Sequence, residues 1–234
     1  MGLYLISDLH LSFSDKIEKP MDIFGGEWLN HAESLKQNWE NMISGSDTVI
    51  IAGDVSWALK LEDAIPDLNW IRDLPGRKIF VKGNHDLWWV SVKKLNAMFG
   101  GEMCFIQNDF REAEGYAVCG SRGWLCPGEE SYTASDEKTY KRELLRLRAS
   151  LESAKRAGFS EIIGIMHFPP TNDRLQESGF TELFCEYGVR NVFYGHLHGA
   201  DGFKRGVSGY TKGVRYRLVS LDYLKCKPLK PEDL

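Results

Sequence analysis

VKGNHDLWWV, residues 81–90, closes an apolar run and then sets Asn84, His85 and Asp86 side by side before two tryptophans. Gly, Asn and Asp favour turns for backbone reasons, so the stretch taken alone is a turn as readily as a site. The rest of the chain decides between them. Apolar runs of strand length recur at 3–7 (LYLIS), 48–52 (TVIIA), 78–82 (KIFVK), 116–120 (YAVCG), 161–166 (EIIGIM), 191–195 (NVFYG) and 215–221 (RYRLVSL). Such runs, bounded by Gly or polar residues, predict buried strands. Between them, 32–43 places Leu35, Trp39, Met42 and Ile43 on one helical face. Residues 90–100 and 135–158 predict further helices, which stop at Gly100 and Gly158, the latter starting at a Ser or Asp cap. Alternating strands and helices predict a layered α/β fold. No Pro/Gly-rich linker divides the chain, so a single domain over 1–234 is expected.

The polar residues fall at the ends of these runs. LYLIS is followed by Asp8-Leu9-His10, TVIIA by Gly53-Asp54 and KIFVK by Gly83-Asn84-His85-Asp86. EIIGIM is followed by His167, and NVFYG by His196-Leu197-His198. Of the six histidines, His31 alone lies elsewhere. In open α/β sheets, ligands bind outside the carboxyl ends of the strands. On an extended segment, residues i and i+2 point the same way. Asp8 with His10, and His196 with His198, are therefore expected to aim in pairs at one centre. Gly53, Gly83 and Gly195 lack a Cβ, so backbones can crowd together at those strand exits.

Two aspartates, an amide oxygen and several imidazoles, without thiolate, form a donor set for Mn, Fe or Zn. One ion has no need of so many donors, whereas two ions sharing a carboxylate do. Two-metal sites, with ions roughly 3.5–4 Å apart, clamp both the attacking and leaving oxygens of phosphoryl transfer.

The bulk properties narrow the partners. The chain has 234 residues, 43% hydrophobic and 26% charged, enough for an ordinary core. Its net charge of −4 gives no basic footprint for long nucleic acid, so a nucleic-acid partner is not expected. No apolar run approaches the ~20 residues of a membrane span, and MGLYLISDLH lacks the features of a secretory leader. Cys104, Cys119, Cys126, Cys185 and Cys226 are odd in number and form no CxxC pair. A reducing, cytoplasmic setting is the expectation.

Taken together, DLH (8–10), GD (53–54), GNHD (83–86), His167 and GHLH (195–198) resemble, in order, the motifs of the calcineurin-like metallophosphoesterase superfamily. The whole chain looks like a bacterial subgroup of predicted phosphohydrolases. The resemblance implies a four-layer αββα sandwich with two divalent metals at strand ends, Mn foremost, with Fe, Zn, Co or Ni as other candidates. It implies that Asp8, His10 and His198 hold the first ion, that Asp54 bridges, and that Asn84, His167 and His196 hold the second. His85 would stay off the metals, contact the scissile phosphate and protonate the leaving oxygen, with Asp86 orienting its ring. A hydroxide shared by the ions would attack phosphorus in line. The expected substrate is a small phosphomonoester or phosphodiester, with a nucleotide-like compound among the candidates. A non-catalytic metal-binding scaffold and a nuclease are the alternatives. Intact donors argue against the first and the acidic balance against the second. The sequence departs from the family at GDVSWA (53–58), where Trp57 replaces a common second acid and no Arg follows. That argues against a Ser/Thr protein phosphatase.

Arg122, with a planar fork suited to phosphate oxygens, and Trp88 and Trp124, as stacking surfaces, are the expected substrate contacts. Segments 11–31 and 121–135 are long and irregular, and residues 19–31 (KPMDIFGGEWLNH) are expected to fold over the pocket through Phe24, Trp28 and His31.

Overall fold

The computed structural model describes residues 1–231, so the last three residues of the 1–234 span lie outside it. Four strands, β1 (Leu3–Ile6), β2 (Thr48–Ile51), β3 (Arg77–Phe80) and β4 (Met103–Phe105), form a parallel sheet in chain order. The second sheet has six strands: β5 (Phe110–Ala113), β6 (Tyr116–Ser121), β7 (Ile162–Met166), β8 (Asn191–Tyr194), β9 (Gly209–Thr211) and β10 (Val214–Leu218). Their order is β5-β6-β7-β8-β10-β9, with β5 and β9 antiparallel to their neighbours at the edges. The central strands are parallel. Buried on both faces, they read as unbroken apolar runs rather than alternating ones.

The faces of the sheets sort the core into three parts. Leu5, Ile50 and Ile79 from the first sheet meet Val118, Ile165 and Phe193 from the second, which places the two sheets face to face. On the outer face of the first sheet, Ile6, Val49 and Phe80 pack against α1 (His31–Met42), α2 (Leu61–Asp73) and α3 (Val92–Phe99). On the outer face of the second, Cys119, Met166 and Val192 pack against α4 (Ala134–Arg156) and α5 (Gly179–Glu186). The result is the expected αββα sandwich. A short α6 (Gly199–Phe203) follows the HLH segment.

Several elements differ from the sequence expectation. α4 is capped two residues before Ser135, by Thr133, whose N–H donates to Asp136 at 2.9 Å in a capping box. α2 was not foreseen, because Pro66 within it reads as a break. Its C-terminal end is held by the buried Lys78 ammonium, which donates to the Arg72 carbonyl at 2.9 Å and to that of Leu74. β4, β5 and β9 are too short or too polar to stand out from loops. Among the described residues, no helix is long and apolar enough to cross a membrane.

Candidate metal centre and active site

The segments after β1, β2, β3, β7 and β8 converge at one edge of the sandwich, and each brings a candidate donor. The Nε2 atoms of His10 and His198 lie 3.4 Å apart, and His198 Nε2 is 3.4 Å from Asp8 Oδ1. Asp8, His10 and His198 thus form one compact group, and Asp8, Asp54 and His167 form a second. Asn84 Oδ1 lies 2.7 Å from His167 Nε2 and 2.9 Å from His196 Nδ1. Asp54 stands between the groups, its Oδ2 being 3.3 Å from His167 Nε2 and 3.9 Å from His10 Nε2. All seven predicted donors are therefore brought together.

Backbone strain accompanies this convergence. Asp8, His10, Asp54 and His196 all have positive φ, at 61°, 45°, 50° and 73°. Non-glycine residues rarely adopt that region, and it persists only where the surroundings over-determine it. The expectation that each i, i+2 pair aligns along an extended strand is corrected here. The chain leaves the strand through left-handed turns, and these turns bring the side chains together. Gly53 sits in the same region at φ 94°, and a Cβ there would lie 2.7 Å from the Gly83 backbone. Close approach of two strand exits requires glycine at that point.

Two of the imidazoles are held by their far nitrogens. His167 Nδ1 faces the Ala52 carbonyl at 3.0 Å, and His198 Nδ1 faces Asp222 Oδ1 at 3.1 Å. Each contact places the proton on Nδ1 and leaves Nε2 as a lone-pair donor. Asp222 was missed in the sequence. The signal was present, because Asp222 directly follows the apolar run RYRLVSL and so marks a sixth strand end bearing an acid.

Charge in the cluster is tightly coupled. Burial resists ionisation of Asp8, yet the hydrogen bond and charge of His198 hold its carboxyl far below the usual range. Burial also opposes charge on His167 and His198. Asp54 nevertheless lifts His167 to about 9, while Asp222 and Asp8 lift His198 to about 10. Burial pushes His10 down to about 4 and His196 down to about 3, so both are neutral, as ligands must be. The set fits divalent cations. Carboxylate, amide and imidazole donors suit Mn, Fe or Zn, and the Nε2 atoms of His10 and His198 face one another at 3.4 Å, where a cation would be held by both in place of the His198 proton.

Sequence similarity agrees with this geometry. The model of the calcineurin-like phosphoesterase family matches residues 1–200. The chain belongs to that family. The gene 66 protein of Mycobacterium phage L5 is 34% identical over 83 residues, which is 36% of this chain and 39% of that protein. Its counterpart in Mycobacterium phage D29 is 31% identical over 85 residues, 36% of this chain and 40% of that protein. The matches thus span about two fifths of these curated relatives. A crystal structure of a protein of unknown function from Aquifex aeolicus aligns over 97% of this chain and 94% of that one, at 17% identity and a TM-score of 0.49.

Within this calcineurin-like phosphoesterase, His85 sits above the donors. Its backbone N–H donates to Asp54 Oδ1 at 2.8 Å, and its Nε2 lies 4.0 Å from Asp54 Oδ2. The side chain is 44% exposed, against 0–3% for Asp8, His10, Asp54 and His167, so His85 alone among these faces the solvent side. Burial draws its pKa down, against the pull of Asp54.

Asp86 does not orient that ring, and this expectation is corrected. Its carboxylate accepts from the backbone N–H groups of Gly83 (2.8 Å), Asp54 (3.0 Å) and Val55 (2.8 Å), and from the Trp88 indole (3.0 Å). It ties the GD turn to the GNHD turn. Burial and the Asp54 charge push its carboxyl up to about 6, against the pull of those donors.

The substrate contacts expected from the sequence are also corrected. Trp88 is 1% exposed and serves Asp86, while Trp89 packs edge-on to Phe105. Arg122 pairs with Glu143 at 3.5 Å and stacks on Trp124, whose indole donates to Asp136. Neither Arg122 nor Trp124 lines the cavity over the donors, which is lined instead by Phe24, Trp28, Trp57 and Phe203. His31 is buried with its Nε2 at the Leu9 carbonyl, 3.0 Å away.

Proposed function

We propose that this protein hydrolyses a small phosphate ester, mono- or diester, using two divalent ions, Mn foremost. Asp8, His10 and His198 would hold one ion, Asn84, His167 and His196 the other, and Asp54 would join them. The observation that carries this reading is the convergence of seven donors, Asp8, His10, Asp54 and His167 among them buried, beside the exposed imidazole of His85. When bound, the ions bring the pKa of a coordinated water toward neutrality and offset charge on the phosphoryl group.

The protein supplies the remainder. Asp54 fixes the His85 backbone through its N–H, and so sets the height of the imidazole above the donors. From there His85 reaches the phosphoryl oxygens and hands a proton to the leaving oxygen. An imidazole suits the task because it exchanges its proton near neutral pH. Asp86 acts one step back, by locking the two turns that carry Asp54 and His85. A cytoplasmic setting accords with five unpaired cysteines.

Hydrolysis of p-nitrophenyl phosphate and bis-p-nitrophenyl phosphate across Mn, Fe, Co, Ni and Zn tests the reading. Turnover of at least one ester with Mn is expected. Failure with both esters and every ion would overturn it.

A further inference from the structure

The cavity over the donors measures about 560 Å³, within the range of small-molecule sites. Its two sides differ in chemistry. One carries the donors and His85. The other is apolar: Met21, Phe24 and Trp28 from the segment before α1, Trp57 after β2, and Phe203 at the end of α6. Two short 3₁₀ turns, Met21–Phe24 and Gly26–Trp28, build most of this wall. Trp28 is buried, its ring steeply inclined to those of His10 and His198 at 5.7 and 5.4 Å between ring centres. Phe24 at the mouth is 67% exposed, an aromatic ring left in water beside a polar site.

Among the described residues, no lysine or arginine lines this cavity. Apart from Asp54, its acidic members are Glu27 and Asp222, and Asp222 is engaged by His198. Lys19 lies over the Trp57 ring at 5.4 Å but outside the lining. A second phosphate on the substrate would therefore meet carboxylates and indoles rather than a cationic partner, and would be desolvated without compensation. A flat uncharged ring would cover the exposed Phe24 and gain stacking there, beside the apolar wall that Met21 and Trp28 extend.

We propose that the substrate is an ester of a single phosphoryl group whose other end is an uncharged aromatic or heteroaromatic ring, seated on Phe24 against the apolar wall. The inference rests on the phosphoesterase reading above. It goes beyond that reading by naming the substrate's shape and charge.

Adenosine 5′-monophosphate and ribose 5-phosphate test it, because both carry a 5′-phosphate on ribose and only the first bears the base. With Mn in excess, each is used as a competitive inhibitor of p-nitrophenyl phosphate hydrolysis. The nucleotide is expected to inhibit at an at least tenfold lower concentration, about the scale of one stacked base. Adenosine 3′,5′-bisphosphate is expected to inhibit more weakly than the monophosphate. Phe24→Ala, at an exposed position, is expected to bring the ratio of nucleotide to sugar phosphate toward unity. Tyr210→Ala, on β9 away from the cavity, is expected to leave it unchanged. Equal inhibition by the first pair, tighter binding of the bisphosphate, or an unaltered ratio in Phe24→Ala would overturn the inference. Absence of p-nitrophenyl phosphate hydrolysis with every ion would instead overturn the reading beneath it.

Discussion

The indole of Trp57 lies 4.3 Å from the ring of His85 and 4.6 Å from that of His10, nearly parallel to the latter at 23°. One side chain thus touches both a metal-donor candidate and the imidazole assigned to the leaving group. Its own N–H points to Met21 Sδ at 3.3 Å, which anchors it to the apolar wall. The residue that breaks the GDxxD pattern therefore packs against His85, a contact that Asp86 was expected to make.

Trp57→Ala should free the His85 ring. A catalytic group displaced by about 1 Å costs on the order of 10² in rate. The expected result is a fall in kcat of about 10- to 100-fold with metal content retained, and substantial recovery in Trp57→Phe, which keeps a ring in place. Metal analysis beside steady-state kinetics checks both. A loss of metal with no separate change in kcat would mean that Trp57 serves His10 alone.

Asp222 holds His198 by its Nδ1 and also accepts from the Gly199 N–H at 3.0 Å. Carboxylates behind metal-binding imidazoles are typically worth 10- to 100-fold in metal affinity. Asp222→Ala should weaken Mn binding by about that factor, and calorimetric titration measures it. Unchanged affinity would place His198 outside the metal shell.

Metal binding should also release protons. His167 and His198 are raised to about 9 and about 10, so both carry a proton at pH 7 without metal. A bound cation requires their neutral forms. The metal-free state therefore holds more protons than the loaded one, and affinity must rise with pH up to those values and fall as pH drops. Titrations with Mn in buffers of different ionisation enthalpy should show about two protons released per chain at pH 7. No release would contradict the assignment of these two imidazoles as ligands.

Much of the site was legible because its residues follow apolar runs that can only be buried strands. Asp8, Asp54, Asn84, His167 and His196 each mark a strand end, and five runs ending in donor-type side chains have no bland explanation. The roles of Asp86 and Trp88 were not legible. Both lie beside His85 in sequence, yet a turn sends adjacent side chains in different directions, and Asp86 went inward to collect backbone N–H groups. Asp222 shows the reverse case, in which the strand-end rule applied and was not extended to the final run. The substrate wall was hidden because Phe24 and Trp28 come from irregular 3₁₀ turns, whose facing depends on tertiary contact rather than on any period.

Replacement of His85 tests the account at its centre. Metal content by elemental analysis and hydrolysis of p-nitrophenyl phosphate are measured together for the wild type and His85→Ala, both loaded with Mn. The account predicts two ions per chain in each protein and a rate lower by about 10²–10⁴ in the variant, the usual worth of a general acid. Loss of an ion from His85→Ala, or a rate equal to the wild type, would contradict it.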